Sequence, residues 1–188
     1  MPLLRHAFLA LAAVLFLAPP APSTAAERDV IEARADLALD QLYSEVPGSR
    51  ALATRARGML IMPKVVKGGF LVGGTYGEGA LRLNREDGGY GPTVGYYSVA
   101  AASIGLQAGV QRTRHVLFFL TTEALERFRR SDGWEIGADA EITMLDKAVN
   151  IDVNSTAFEK PVVAIVFGGS GLLVGASLEG AKYSRIDR

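Results

Sequence analysis

Apolar residues recur at helical spacing near the start of the chain. Between Glu27 and Tyr43, Ile31, Ala35, Ala38, Leu39 and Leu42 fall on one stripe, with Glu32, Asp36 and Asp40 opposite. That pattern predicts an amphipathic helix. Its polar face is acidic, which predicts packing on the domain rather than insertion into an anionic bilayer that would repel it. A second short helix is predicted from Ser49 to Arg57, stopped by Gly58 just after the C-cap.

Beyond Gly58 the period changes to that of strands. Met59–Met62, Val65–Tyr76 and Ala80–Asn84 are candidates, and Leu81 and Leu83 alternate with Arg82 and Asn84 as on a half-exposed strand. Asp87-Gly88 predicts a type I′ hairpin turn. Thr93–Ala101, Leu106–Arg112, His115–Leu120, Pro161–Phe167 and Leu172–Leu178 continue the set. Val116–Leu120 and Val162–Phe167 run without a polar break, so both faces of those strands should be covered. One helix interrupts them, Thr122–Arg130. Thr121 or Thr122 can cap it, Glu123 and Glu126 suit its first half, and Arg127, Arg129 and Arg130 suit its end. Gly133–Phe158 mixes Trp134, Ile136, Ile142 and Val153 with acids and asparagines, a pattern of short strands and loops. The elements together predict an α+β domain: a mainly antiparallel, strongly curved β-sheet or barrel with an N-terminal helix and one internal helix.

A glycine-rich phrase occurs twice within this β-type sequence. Gly69-Phe70-Leu71-Val72-Gly73-Gly74-Thr75-Tyr76-Gly77-Glu78-Gly79-Ala80 returns as Gly171-Leu172-Leu173-Val174-Gly175-Ala176-Ser177-Leu178-Glu179-Gly180-Ala181, without an equivalent of Gly77. A weaker echo, Gly105-Leu106-Gln107-Ala108-Gly109, lies between them. Glycines spaced this way inside strands mark close backbone approach or a kink. Two similar strands far apart in sequence suggest one sheet with approximate internal symmetry.

The N-terminus has the layout of a secretory signal peptide. Arg5 and His6 precede an apolar run from Ala7 to Ala18, then prolines and the small residues Ser23-Thr24-Ala25-Ala26. The run is too short for a comfortable membrane span, so cleavage after Ala25 or Ala26 is expected. Residues 1–26 then form the leader and residues 27–188 a single domain, placed in the periplasm or secreted. The chain has no cysteine, so neither lipoprotein acylation nor a disulfide is available and the core must hold the fold unaided.

Twenty basic residues balance twenty acidic ones, so an electrostatic partner must see a local patch. Such a patch is visible in sequence. No acid falls between Glu45 and Glu78, while Arg50, Arg55, Arg57, Lys64 and Lys67 do. The tail carries Lys182, Arg185 and Arg188 against Asp187. If the fold brings these two segments together, one face is basic.

Catalytic chemistry finds little support. His115 is the one histidine after the leader and opens an apolar strand, where a hydrogen-bonded edge residue is expected rather than a base. Gly168-Gly169-Ser170-Gly171 has the wrong spacing for a nucleophile elbow and suits a tight turn. No catalytic residue, metal site or cofactor is predicted. Asp139 and Glu141 match no EF-hand spacing, and neither the Walker nor the dinucleotide-binding glycine pattern is present. Binding chemistry remains. Arg55, Arg57, Lys64 and Lys67 flank Met59-Leu60-Ile61-Met62-Pro63 and lead to Gly68-Gly69-Phe70. Cations beside apolar groups suit a phospholipid surface, each worth up to ~1 kcal/mol near anionic lipid.

Three ordered blocks carry a family resemblance. Ala56-Arg57-Gly58-Met59-Leu60-Ile61-Met62-Pro63-Lys64-Val65-Val66-Lys67-Gly68-Gly69-Phe70 through Gly79 resembles the opening of the SYLF domain. Ser103-x-Gly105-x-Gln107-x-Gly109 is similar to its central signature, and Ser170-Gly171-Leu172-Leu173-Val174-Gly175-x-Ser177-Leu178-Glu179-Gly180 to its closing one. The resemblance spans Ala51 to Tyr183. It implies phospholipid binding, as in eukaryotic members, and actin binding, as in yeast members, with an N-terminal amphipathic segment and basic residues at the domain front involved. Carried over residue by residue, it falls on Arg55, Arg57, Lys64 and Lys67. Two departures stand out: the acidic polar face of the first helix, and Tyr90-Gly91-Pro92 where the family usually has a tryptophan before its proline.

The sequence therefore predicts non-enzymatic binding of anionic phospholipids or other envelope lipids by an exported domain, peripheral to the membrane. The alternative is an envelope structural or protein-interaction module with a protein partner and no direct lipid contact. No nucleic acid is expected, and actin enters only by family analogy, since an exported chain does not meet it. A small outer-membrane barrel fits poorly, because such barrels show alternating strands and little helix.

Overall fold

The computed structural model describes residues 24–85, 90–139, 142–146, 159–168, 178 and 180–188. Most of the predicted leader, the Asp87-Gly88 turn and nearly all of the second glycine phrase lie outside the described residues. In chain order the elements are α1 (Thr24–Glu45), α2 (Ser49–Arg55), β1 (Gly58–Asn84), β2 (Tyr90–Phe119), α3 (Thr122–Arg130), β3 (Trp134–Glu135), β4 (Ile142–Asp146), β5 (Val162–Phe167) and β6 (Lys182–Ile186).

The two long strands organise everything else. The separate strands predicted from 59 to 84 are one 27-residue strand, and those from 93 to 119 lie within one of 30 residues. β1 pairs antiparallel with β2 from Gly58↔Phe119 to Asn84↔Tyr90. β5 and β6 pair with β2 at Arg114–Phe119 and Tyr96–Ala100, residues whose other edge β1 already occupies. They therefore lie end to end along one edge of β2. β4 runs parallel to β5 at one margin, and β3 flanks β6 at the other. Counting each half of β1 and β2 separately gives eight strand segments in a strongly curled, mainly antiparallel half-barrel.

Glycine produces the curl. The β1–β2 register slips between Gly69, opposite Gly109, and Leu71, opposite Gly105. The first glycine phrase thus meets the weaker echo across the ladder. Gly69 and Gly109 have φ of 157° and 156°, a backbone state costly for other residues. Past this kink β1 turns back on itself. Gly77 and Gly79 pass so close to Lys64, Val65, Ile61 and Met62 that a side chain at either would collide with the strand's own first half. The two ends also meet: the backbone N–H of Asn84 donates to the Arg57 carbonyl at 3.1 Å.

Curling gives the sheet an inner and an outer face, each with its own core. The inner one holds Leu60, Met62, Val65, Leu81, Tyr97, Val99, Leu117 and Phe119 with Trp134 and Tyr183. α3 closes it by inserting Leu125 and Phe128. The Phe128 ring lies 4.7, 4.9 and 5.3 Å from Tyr97, Phe119 and Trp134. The outer core sets α1 and α2 against Met59, Ile61, Val116, Phe118, Val163, Ile165 and Phe167. With both faces covered, the continuous apolar runs at 116–119 and 162–167 are buried as predicted.

The helices match their predicted spans closely, with one correction. α2 ends at Arg55, and Ala56 leaves in extended conformation, so Gly58 caps nothing. It is the first residue of β1, where a Cβ would press on the Arg82 carbonyl at 3.0 Å and on Leu125 at 3.1 Å. α3 is capped by Thr121, whose Oγ1 accepts from the Ala124 N–H at 3.2 Å. Thr121→Ala is expected to cost about 1 kcal/mol in urea unfolding.

Candidate functional site

β1 from Gly58 to Gly77 and all of β2 carry no acidic residue. Into this ribbon the fold places Lys64, Lys67, Arg112 and Arg114. A bulge between Met62↔His115 and Val65↔Thr113 sets Pro63 and Lys64 opposite Arg114. Val66 then pairs with Arg112, and Lys67 with Gln111. Lys64, Lys67 and Arg112 are exposed, and Arg114 is half-buried with Nη1 donating to the Gly168 carbonyl at 3.3 Å. Three residues of strand separate Lys64 from Lys67, roughly 10 Å. Val110, paired with Gly68 and 69% exposed, supplies an apolar side chain on the same face as Arg112, whereas Lys67, paired with Gln111, projects from the opposite face.

Arg55 and Arg57 are exposed too, but elsewhere. Arg55 ends α2, and Arg57 sits just before β1, with its N–H and C=O engaged by Phe119 and Asn84. Roughly 23 and 33 Å of strand, at ~3.3 Å per residue, separate Arg57 from Lys64 and Lys67. The four sequence-predicted cations therefore fall into two pairs. Arg112 and Arg114 join one pair, and sequence reasoning missed both. The signal that could have found them is the acid-free run through β2, since the pairing register was needed to bring it beside Lys64.

The basic tail does not join this cluster. β6 lies against Tyr96–Ala100, beside the other half of the ribbon. There Arg188 is taken up by acids, with Nη2 on Glu78 Oε1, Nε donating to Glu78 Oε2 at 3.2 Å, and Nη1 lying 3.7 Å from Glu27. Tyr76 also donates to Glu78 at 2.6 Å. Burial pushes the Glu78 carboxyl up, but hydrogen bonds from Tyr76 and Arg188 outweigh it and hold the group below its ordinary range.

A second polar cluster explains the acidic face of α1. Arg82 projects from β1 under that helix, its side chain 5% exposed, and contacts Asp36 Oδ1 and Glu32 Oε2, the latter at 2.8 Å. Tyr96 donates to the other Glu32 oxygen at 2.6 Å. Burial and Glu32 together push the Tyr96 hydroxyl up to about 12. Two of the three acids set opposite the apolar stripe in sequence are thus internal partners. α1 packs on the domain, as its pattern predicts.

His115 is buried rather than an edge residue, because β1 and β5 flank it at Met62 and Val166. Its Nε2 meets Thr113 Oγ1 at 2.8 Å, and Nδ1 has no partner among the described residues. Burial among apolar strands pushes its pKa down to about 4. Among the described residues no group of His, Asp and Glu is placed to hold a metal, and no described helix is long and apolar enough to cross a membrane.

No curated protein matches the chain. A family does: Ysc84, described as Las17-binding protein actin regulator, matches residues 100–187. That segment holds Arg112, Arg114 and the strands β3–β6, while Arg55, Arg57, Lys64 and Lys67 precede it. The family is one of lipid- and actin-related binding domains. Residues 100–187, whose half of β2 forms the spine of the curled sheet, thus match a Ysc84, or SYLF, domain.

Proposed function

We propose that this protein is a non-enzymatic binder of anionic phospholipid surfaces, exported to the periplasm or beyond and peripheral to the membrane. The observation that carries this reading is the acid-free ribbon, with Lys64, Lys67 and Arg112 exposed along it and Val110 on the same face as Arg112. Phosphates near such a ribbon meet cations and no carboxylate of the ribbon itself. Each cation near an anionic surface contributes about 1 kcal/mol, and the attraction fades beyond a Debye length of ~10 Å at 0.1 M salt. The leader predicted for residues 1–26 supports the location. In that compartment the anions on offer are phosphatidylglycerol, cardiolipin and lipopolysaccharide phosphates, and actin is not met.

Co-sedimentation with phosphatidylglycerol vesicles, against phosphatidylcholine, tests this reading. Binding should be selective for the anionic vesicles and weaken with salt. Changing Lys64, Lys67 and Arg112 together to Gln should weaken it by about 3 kcal/mol, or roughly a hundredfold. Changing Arg55 and Arg57 to Gln should have a smaller effect, since they lie away from the cluster. Failure to bind under any condition would favour the envelope-protein partner instead.

A further inference from the structure

α1 is fastened differently along its length. From Ala38 onward it is held by apolar contact, with Ala38, Leu39, Leu42 and the following Val46 all in the outer core. Before Ala38, among the described residues, only Ile31 and Ala35 are buried apolar ones. The rest of that half is held by charge. Glu32 and Asp36 clasp Arg82, Glu27 reaches Arg188, and the Arg28 guanidinium donates to the Arg188 carbonyl. Tyr96 on β2 and Tyr76 and Glu78 on β1 complete the two clusters.

Charge and apolar contact hold a helix with different strength. Burying Arg82 costs its hydration, and Glu32 and Asp36 offset that only while they stay in place. Both carboxylates remain partly open to water, with side chains 33% and 47% exposed, so they lose little by leaving. The apolar half has no such alternative.

We infer that the first half of α1 is a separately opening, charge-latched cover. It hinges near Ala38 and, while shut, masks Arg82 from solution anions. Opening would present Arg82 on the outer face of the ribbon half that carries β6, while Arg188 stays on Glu78 of β1. The masking role rests on the anionic-surface reading above; the latch itself does not.

Hydrogen exchange on the full-length chain tests the latch without any lipid. In Glu32→Gln/Asp36→Asn, which keeps the shape of both side chains, amides of Ile31–Leu37 should exchange about tenfold faster than in the unmodified chain. Those of Leu39–Val46 should be unchanged. Equal acceleration of both halves, or none, would overturn the latch. Phosphatidylglycerol vesicles then test the mask. Tighter binding by the variant supports it, and unchanged or weaker binding overturns it. If neither protein binds vesicles, the lipid reading and the mask both fall, and the exchange result still decides the latch.

Discussion

Gly79→Val should abolish stable folding, while Gly74→Val, five residues earlier in the same phrase, should be tolerated. At Gly79 a Cβ would overlap the Ile61 carbonyl oxygen and come within 2.6 Å of Met62 Sδ. The thioether could swing away, but the carbonyl belongs to the backbone of β1's first half. Relief would need the two halves of the strand to separate, which would open both the inner and outer cores. Overpacking that side chains can absorb costs about 1–3 kcal/mol, and this change should exceed that range. Gly77→Ala meets the Lys64 carbonyl at 2.6 Å and should be clearly destabilising as well. Gly74 is exposed, and its nearest obstacle, the Ala101 carbonyl, is 4.0 Å away. A β-branched residue there should change stability by only about 0.5 kcal/mol in either direction. Urea unfolding of the three variants checks the contrast. Wild-type stability for Gly79→Val would mean that β1 does not fold back on itself at Ile61.

The contrast also shows what the repeated phrase could reveal in sequence. Its glycines pointed to close approach or kinking, and both occur: Gly77 and Gly79 at the approach, Gly69 and Gly109 at the kink. The partner of each was not legible. Gly105–Gly109 is a weak echo as a string, yet its place opposite Gly69–Leu71 makes it half of the bend. Whether the two strong copies adjoin lies outside the described residues. Helices were more legible, because a stripe such as Ile31, Ala35, Ala38, Leu39 and Leu42 declares its period locally. Strand continuity was obscured by Pro63 and the glycines, which resemble breaks although the ladder runs through them as bulges. The candidate site was half legible for the same reason. Lys64 and Lys67 are neighbours in sequence, but Arg112 and Arg114 become their neighbours only through a register shifted by the bulge.

His115 gives the second large effect, as a loss of stability on mild acidification. The side chain is 4% exposed, and its one polar contact among the described residues is Thr113. An orphaned N–H is costlier than an orphaned lone pair, so the tautomer with Nε2–H donating to Thr113 is favoured. Protonation would add a positive charge and place a second donor on Nδ1, which has no partner among the described residues. That is why burial pushes the folded-state pKa from 6.5 to about 4. The unfolded chain binds this proton as pH falls through about 6.5, whereas the folded protein refuses it until near 4, so acid favours unfolding throughout that window. At 1.36 kcal/mol per pH unit the loss reaches about 3 kcal/mol by pH 4. Glu32 and Glu78 act in a different range. Their folded pKa values are lowered, so their stabilisation is intact above 4.5 and is lost as pH falls through those lowered values. Urea midpoints between pH 7 and pH 5 therefore isolate the histidine. His115→Met, similar in volume and untitratable, should flatten the decline there and leave the steeper carboxylate loss below pH 4.5. An unchanged slope from pH 7 to 5 would mean that water reaches Nδ1 and that the inner face at Met62 and Val166 is not closed.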